Sequence, residues 1–325
     1  MYDVYEIRKD FPELALTVNG RPNTYLDTAA SALKPEAVVE KMMSFYRMHY
    51  SNVHRGAYYL SEQATAEYEK ARETVARFVN AGSREIVFTR SATESINLAA
   101  ASWGMHNLKP GDEILLSEAE HHANLVPWQM VRDQTGCTLN FFAVNDDGSF
   151  NPENFYRVLT PRTKLVGVAG ISNVLGTVFP VKEIAAAAHA NGALCLVDAC
   201  QSVVHQKIDV KDIGCDFLAF SGHKTYGPTG IGVLYGRYEL LAAMPPYQTG
   251  GDMVKSVTLQ HTEFAEPPAR FEAGHRRGGG AGRGAGIYEP AGNGKHCRPR
   301  KGADGLCADA SGGNSRTEGR RHCAG

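Results

Sequence analysis

The chain has 325 residues, 43% of them hydrophobic, enough for one large domain or two ordinary ones around a sizeable core. A formal net charge of -1 gives no reason to expect nucleic acid or an anionic membrane surface as partner, and favours a small-molecule substrate. The opening residues lack a signal-like apolar core, no run approaches the roughly 20 apolar residues of a membrane span, and the seven cysteines form no CxxC pair, so a cytoplasmic protein with reduced thiols is expected.

Residues 1–25 read as an N-terminal segment. From residue 26 to 274, short β-branched runs alternate with longer amphipathic stretches, the pattern of βα units about a mostly parallel sheet. Apolar spacings of three and four predict a helix over 64–80. A strand over 85–89 follows, then a Ser/Thr loop and a helix beginning near Thr93. A helix N-terminus with hydroxyls and free amides suits a phosphate group. The run SATE, with Ser91 and Glu94 at its ends, also fits an ordinary capping box, and the two readings are compatible.

A strand over 113–117 leads into EAEHHANLVPW, where Glu120, His121, His122 and Asn124 stand close together. An imidazole here can stack on a pyridine ring and exchange protons with a substrate. Adjacent histidines also invite a metal, but they point different ways on helix or strand, and no HExxH or second acidic cluster completes a ligand set. No metal is expected.

Strands over 165–169 and 193–198 flank a helix over 181–191, and the second strand ends in Asp198, followed by Gln201. A carboxylate at the end of an apolar strand must face a cation or strong donor, or cap the next helix. A protonated pyridine nitrogen is one such cation. A strand over 217–220 opens onto SGHKTYGPTGIGVLYG at 221–236, which contains the strand 232–235. Lys224 stands between strand and Gly/Pro-rich turn, and alone it reads as a solvated loop lysine. A lysine that condenses with an aldehyde needs a depressed pKa and a rigid seat, and Ser221, His223 and the tight turns supply the seat.

At residue 275 the character changes: the last 51 residues hold 14 glycines and 8 arginines but no Val, Phe, Met or Trp, too little to bury a core. The break falls directly after the well-formed RFEAG at 270–274, so a change of reading frame explains it better than a Gly/Arg-rich tail. Synonymous codons for 288–325, read one base later, can spell a segment with helical periodicity and an LKVVGI run. Residues 275–325 are expected to be non-native and disordered.

Taken in order through residues 25–236, YLDTAASALKP, NVHRGAYYLS, RSATESINLAA, EHHANLVPW, ISNVLGT, VDACQSVVH and SGHKTYGPTGIGVLYG resemble the group II cysteine desulfurases of sulfur mobilisation and iron–sulfur cluster assembly. These are fold type I pyridoxal 5'-phosphate enzymes of the class V aminotransferase family. The resemblance implies an α/β fold with a mostly parallel seven-stranded sheet between helices, a cofactor-binding large domain at 26–274, and a C-terminal small domain that is missing or out of frame. It implies that Lys224 carries the cofactor, that Asp198 pairs with its ring nitrogen, that Gln201 hydrogen-bonds its ring hydroxyl and that His121 stacks on the ring. Thr93, Ser221 and His223 would hold the phosphate, while Asn173 and His54 would lie toward the amino-acid substrate.

The implied reaction converts L-cysteine to L-alanine and passes sulfur to a cysteine nucleophile as a persulfide, for delivery to an acceptor protein. L-selenocysteine is an alternative substrate, and the family forms homodimers. In the family the nucleophilic cysteine lies on a loop of the C-terminal domain near an arginine that grips the substrate carboxylate, and this chain shows neither motif. Cys297, Cys307 and Cys323 fall in the suspect frame, whereas Cys195, Cys200 and Cys215 read as buried structural thiols. The family also has a threonine after EAG, where His275 stands here. A catalytically inert remnant that still binds cofactor is the alternative reading, and loss of a covering domain would expose apolar surface.

Overall fold

The computed structural model describes residues 3–274 and, as backbone alone, Cys297–Arg298 and Ala308–Asp309. The expectation of an out-of-frame, disordered tail over 275–325 lies outside the described residues.

Seven strands form one mixed sheet: β1 (Ile86–Thr89), β2 (Glu113–Ser117), β3 (Thr138–Phe142), β4 (Thr163–Ala169), β5 (Leu194–Asp198), β6 (Phe217–Ser221) and β7 (Gly232–Gly236). Their spatial order is β1-β7-β6-β5-β4-β2-β3. From β6 to β3 every neighbour is parallel, while β7 runs antiparallel between β1 and β6. The mostly parallel sheet expected from the resemblance is therefore present. β3 is the strand that periodicity does not reveal. It lies at the sheet edge, and its sequence TLNFF buries only Phe142, so neither alternation nor a continuous apolar run marks it.

Four helices matter most for the site: α1 (Tyr59–Val79), α2 (Ala92–Leu98), α3 (Val126–Thr135) and α4 (Val181–Ala190). α1 begins at Tyr59 rather than near residue 64 and stops where Asn80 turns left-handed at φ 58°, a conformation that asparagine tolerates better than most residues. Alternate strand residues feed two cores. Phe88, Val166, Val197, Phe220 and Val233 pack with Val75 of α1 and Ile184 of α4, whereas Val87, Leu116, Leu196, Ala219 and Leu234 pack with Ile96 of α2 and Trp128 of α3. Each large side chain so buried contributes about 1.5–3 kcal/mol.

Burial on both faces leaves the carboxyl ends of β2, β4, β5 and β6 as the place where polar side chains can gather, as in other open α/β sheets. Among the described residues no helix is long and apolar enough to cross a membrane.

Candidate active site

β6 ends at Ser221 and the chain turns at once into the 3-10 turn Gly222–Lys224. Gly222 donates its N–H to Ile231 O at 2.9 Å, and its own carbonyl accepts from Thr225 and Gly227 at 3.0 and 2.9 Å, closing a tight loop around the lysine. The His223 carbonyl accepts from Ala32 N–H at 3.0 Å and from Lys34 Nζ at 2.9 Å. The His223 ring meets Ser31 Oγ through Nδ1 at 3.2 Å. Burial, followed by the charges of Lys224 and Lys34, holds this imidazole below its ordinary pKa. The rigid seat expected for Lys224 is thus built partly by a distant N-terminal segment.

The adjacent strand β5 delivers Asp198, which is 5% exposed and sits in register with Ala169 of β4 and Ala219 of β6. One carboxylate oxygen accepts from Cys200 N–H at 3.0 Å. Among the described residues no lysine, arginine or histidine forms an ion pair with it, so a buried carboxylate stands without a cation partner. Burial and then the Asp198 charge push the Cys200 thiol well above its ordinary value, while the Lys224 charge opposes them. Gln201 is also buried and donates Nε2 to Ala29 O at 2.7 Å.

α2 begins against this pair. Ser91 caps it by accepting Glu94 N–H at 3.3 Å, and Ser221 Oγ accepts Ala92 N–H at 2.8 Å, tying the helix start to the end of β6. A Cβ on Gly232 would lie 2.3 Å from the Ser91 carbonyl carbon, so only glycine lets the helix start rest on β7. The expected capping box is half formed, because the Glu94 carboxylate turns to the backbone N–H and guanidinium of Arg90 instead of Ser91 N–H. Thr93 is exposed, and its hydroxyl has no partner among the described residues.

The loop after β2 carries His121, exposed, with Nδ1 accepting from Ala123 N–H at 3.1 Å. That bond assigns the proton of the neutral ring to Nε2. The ring of His122 lies 6.0 Å away, and among the described residues no group of three His, Cys, Asp or Glu side chains could hold a metal. Glu120 is half-buried as a residue, but its carboxylate is enclosed, accepting from Ala169 N–H at 2.8 Å and from Asn124 Nδ2 at 2.7 Å. Asn124 in turn accepts from Trp128 Nε1 at 3.0 Å. Burial raises the Glu120 carboxyl to about 8 against these two hydrogen bonds, with the Asp198 charge adding to the rise.

Lys224, Asp198, Gln201, Ser221, His223 and the start of α2 therefore meet at neighbouring strand ends. His54 and Asn173 do not join that group by hydrogen bonds. The His54 ring bonds Glu69 of α1 at 2.9 Å, and Asn173 is exposed in the loop after β4.

Residues 24–280 match the family model of aminotransferase class-V. This chain belongs to that family. It is similar to a probable cysteine desulfurase of Synechocystis sp., 54% identical over 269 residues that make up 82% of this chain and 64% of the relative. A cysteine desulfurase of Serratia proteamaculans is 50% identical over 84% of this chain and 68% of its own length. The crystal structure of the Escherichia coli cysteine desulfurase CsdA superposes with a TM-score of 0.79 at 42% identity, covering 88% of this chain and 71% of that one. The chain thus spans about two thirds of the length of these curated relatives, 64% and 68% respectively.

Some contacts in and around this candidate site escape a reading by motif. Ser31 and Lys34 lie in the YLDTAASALKP run, yet only the fold shows that they grip the loop bearing the lysine. Glu120 was visible beside His121, but its enclosure depends on Ala169, a residue on another strand. The pair of Arg72 and Glu272, 200 positions apart, carries no local signal at all.

Proposed function

We propose that this chain holds pyridoxal 5'-phosphate covalently on Lys224 and takes L-cysteine as substrate, forming the cofactor-binding part of a cysteine desulfurase. The observation that carries the reading is Asp198: a carboxylate 5% exposed, without a cation among its described partners, on the strand beside the one that delivers Lys224. A protonated ring nitrogen is the partner its chemistry calls for. The hydroxyls of Ser221 and Thr93, the His223 ring and the amides at the start of α2 suit the phosphate. When bound, the cofactor supplies an electron sink for the α-carbon of the substrate.

The remaining roles belong to side chains of this protein. Asp198 would keep the proton on the ring nitrogen, and Gln201 would lie toward the ring hydroxyl. His121, held with its proton on Nε2, would cover the ring face and pass a proton toward the substrate. Besides holding the cofactor, the Lys224 amine would be the base that takes the substrate α-proton. Asn173 and His54 would lie on the substrate side.

Cys137, Cys195, Cys200 and Cys215 are buried, and burial pushes the thiols of the last three up, Cys215 to about 12. None of the four suits a sulfur nucleophile, which must be an accessible thiolate. That observation favours a second reading, a chain that binds cofactor without turning over. L-selenocysteine as substrate, a sulfur-acceptor protein and a homodimer extend the first reading.

Two measurements separate them. Mixing the purified chain with pyridoxal 5'-phosphate should produce a visible absorption band that Lys224→Ala abolishes; a band unchanged by that substitution refutes the proposal. Alanine released from cysteine by the chain supports turnover, and its absence leaves the binding role alone.

A further inference from the structure

We infer that Lys34 is a positioning residue for Lys224: it clamps the His223 carbonyl from an N-terminal strap and so fixes the turn that presents the cofactor lysine. The inference rests on the proposed role of Lys224. Lys34 Nζ donates to His223 O at 2.9 Å and to Ala32 O at 2.6 Å, and Ala32 N–H donates to the same His223 carbonyl at 3.0 Å. The ammonium therefore bridges two segments 189 positions apart in sequence.

The strap is also stitched on the N-terminal side of this clamp. Tyr25 donates its hydroxyl to Ser31 O at 2.5 Å, Ser31 Oγ meets the His223 ring at 3.2 Å, and Ala29 O accepts from Gln201 Nε2 at 2.7 Å. Lys34 has no ion pair among the described residues; the carboxylate that acts on it is Glu13, on the 3-10 turn Pro12–Ala15, and the ionisable ring it acts on is His223, which Lys224 also faces. Burial lowers the Lys34 ammonium to about 8, with Glu13 opposing. A methionine would fill this space without that desolvation cost, so what the ammonium adds is its donors and its charge. The donors hold a turn carbonyl that the short 3-10 element leaves without an internal partner. The charge helps keep the His223 ring neutral.

The test uses the full chain with pyridoxal 5'-phosphate. K34M should bind the cofactor roughly tenfold more weakly, the factor carried by one charge-assisted hydrogen bond. In the cofactor-free protein K34M should also raise the titration point of the His223 imidazole, followed by NMR, and K34R should restore both readouts toward wild type. A general loss of packing would move neither the titration point selectively nor recover with arginine. K34M that binds as wild type, or K34R that resembles K34M in both readouts, overturns the inference. If K34M gives no cooperative melt, K34Q replaces it: this neutral donor should raise the His223 titration point while holding affinity within about threefold, and an unmoved point overturns the inference. Failure of the wild-type chain to fix cofactor on Lys224 would instead strike the functional proposal, since the His223 titration is read without cofactor.

Discussion

Removal of the Glu272 carboxylate is expected to destabilise the described chain strongly. Glu272 is fully buried and accepts from the two terminal Arg72 nitrogens at 2.7 and 2.9 Å, from Tyr68 OH at 3.0 Å and from Phe88 N–H at 2.8 Å. Burial alone would depress the Arg72 guanidinium, but Glu272 holds it charged, well above its ordinary value. Glu272→Ala strands that guanidinium, 2% exposed, and leaves the Phe88 amide of β1 without its acceptor. Breaking a buried pair costs about 3–5 kcal/mol. Arg72 retains Glu69 and the Ile86 carbonyl, which moves its share to the low end, while the orphaned amide adds about 1 kcal/mol or more. The sum is about 4 kcal/mol, and a domain of this size loses roughly 2–4 °C per kcal/mol, so the melting temperature should fall by roughly 8–16 °C. Calorimetry on wild type, E272A and E272Q reads this directly, with E272Q falling less because it keeps an acceptor. A change within about 2 °C for E272A would refute the reasoning.

Glu120 should make stability fall with rising pH. Its carboxyl is raised in the folded chain from 4.5 to about 8, so between those values the folded state keeps a proton that the unfolded chain releases. The slope approaches about 1.4 kcal/mol per pH unit. Urea melts at pH 5 and pH 8 should therefore differ more for wild type than for Glu120→Gln, and parallel behaviour would contradict the assignment. Asp198→Asn should weaken cofactor binding by roughly ten- to a hundredfold, the range of a lost charge-assisted hydrogen bond, measured by absorbance titration; unchanged affinity would remove Asp198 from the site. Thiol labelling followed by mass spectrometry should leave Cys137, Cys195, Cys200 and Cys215 unmodified until denaturant is added, because all four are buried. Rapid native labelling of any of them would reopen the question of a nucleophile.

Much of the fold was legible because both faces of the sheet are covered. Buried strands such as β4 and β5 are largely continuous apolar runs, and the helix expected to end at residue 80 does stop at Asn80. β3 was not legible, because an edge strand with one buried residue leaves no periodic trace. For the site, Asp198 and Lys224 could be read as a pair since each stands at the end of a recognisable strand. The capping run at Ser91 misled in part: Glu94 had a second backbone N–H and a guanidinium within reach on Arg90, a choice that spacing cannot show. Lys34 and Glu120 owe their surroundings to segments far away in sequence, His223 and Ala169, and such contacts exist only once the sheet order is set.

Whether Lys224 is the amine that bears the cofactor is tested most directly by borohydride reduction of the chain loaded with pyridoxal 5'-phosphate, followed by peptide mapping. A single phosphopyridoxyl addition on the peptide containing Lys224 is expected. Addition spread over exposed lysines, or none at all, would contradict the assignment of this strand-end turn as the active site.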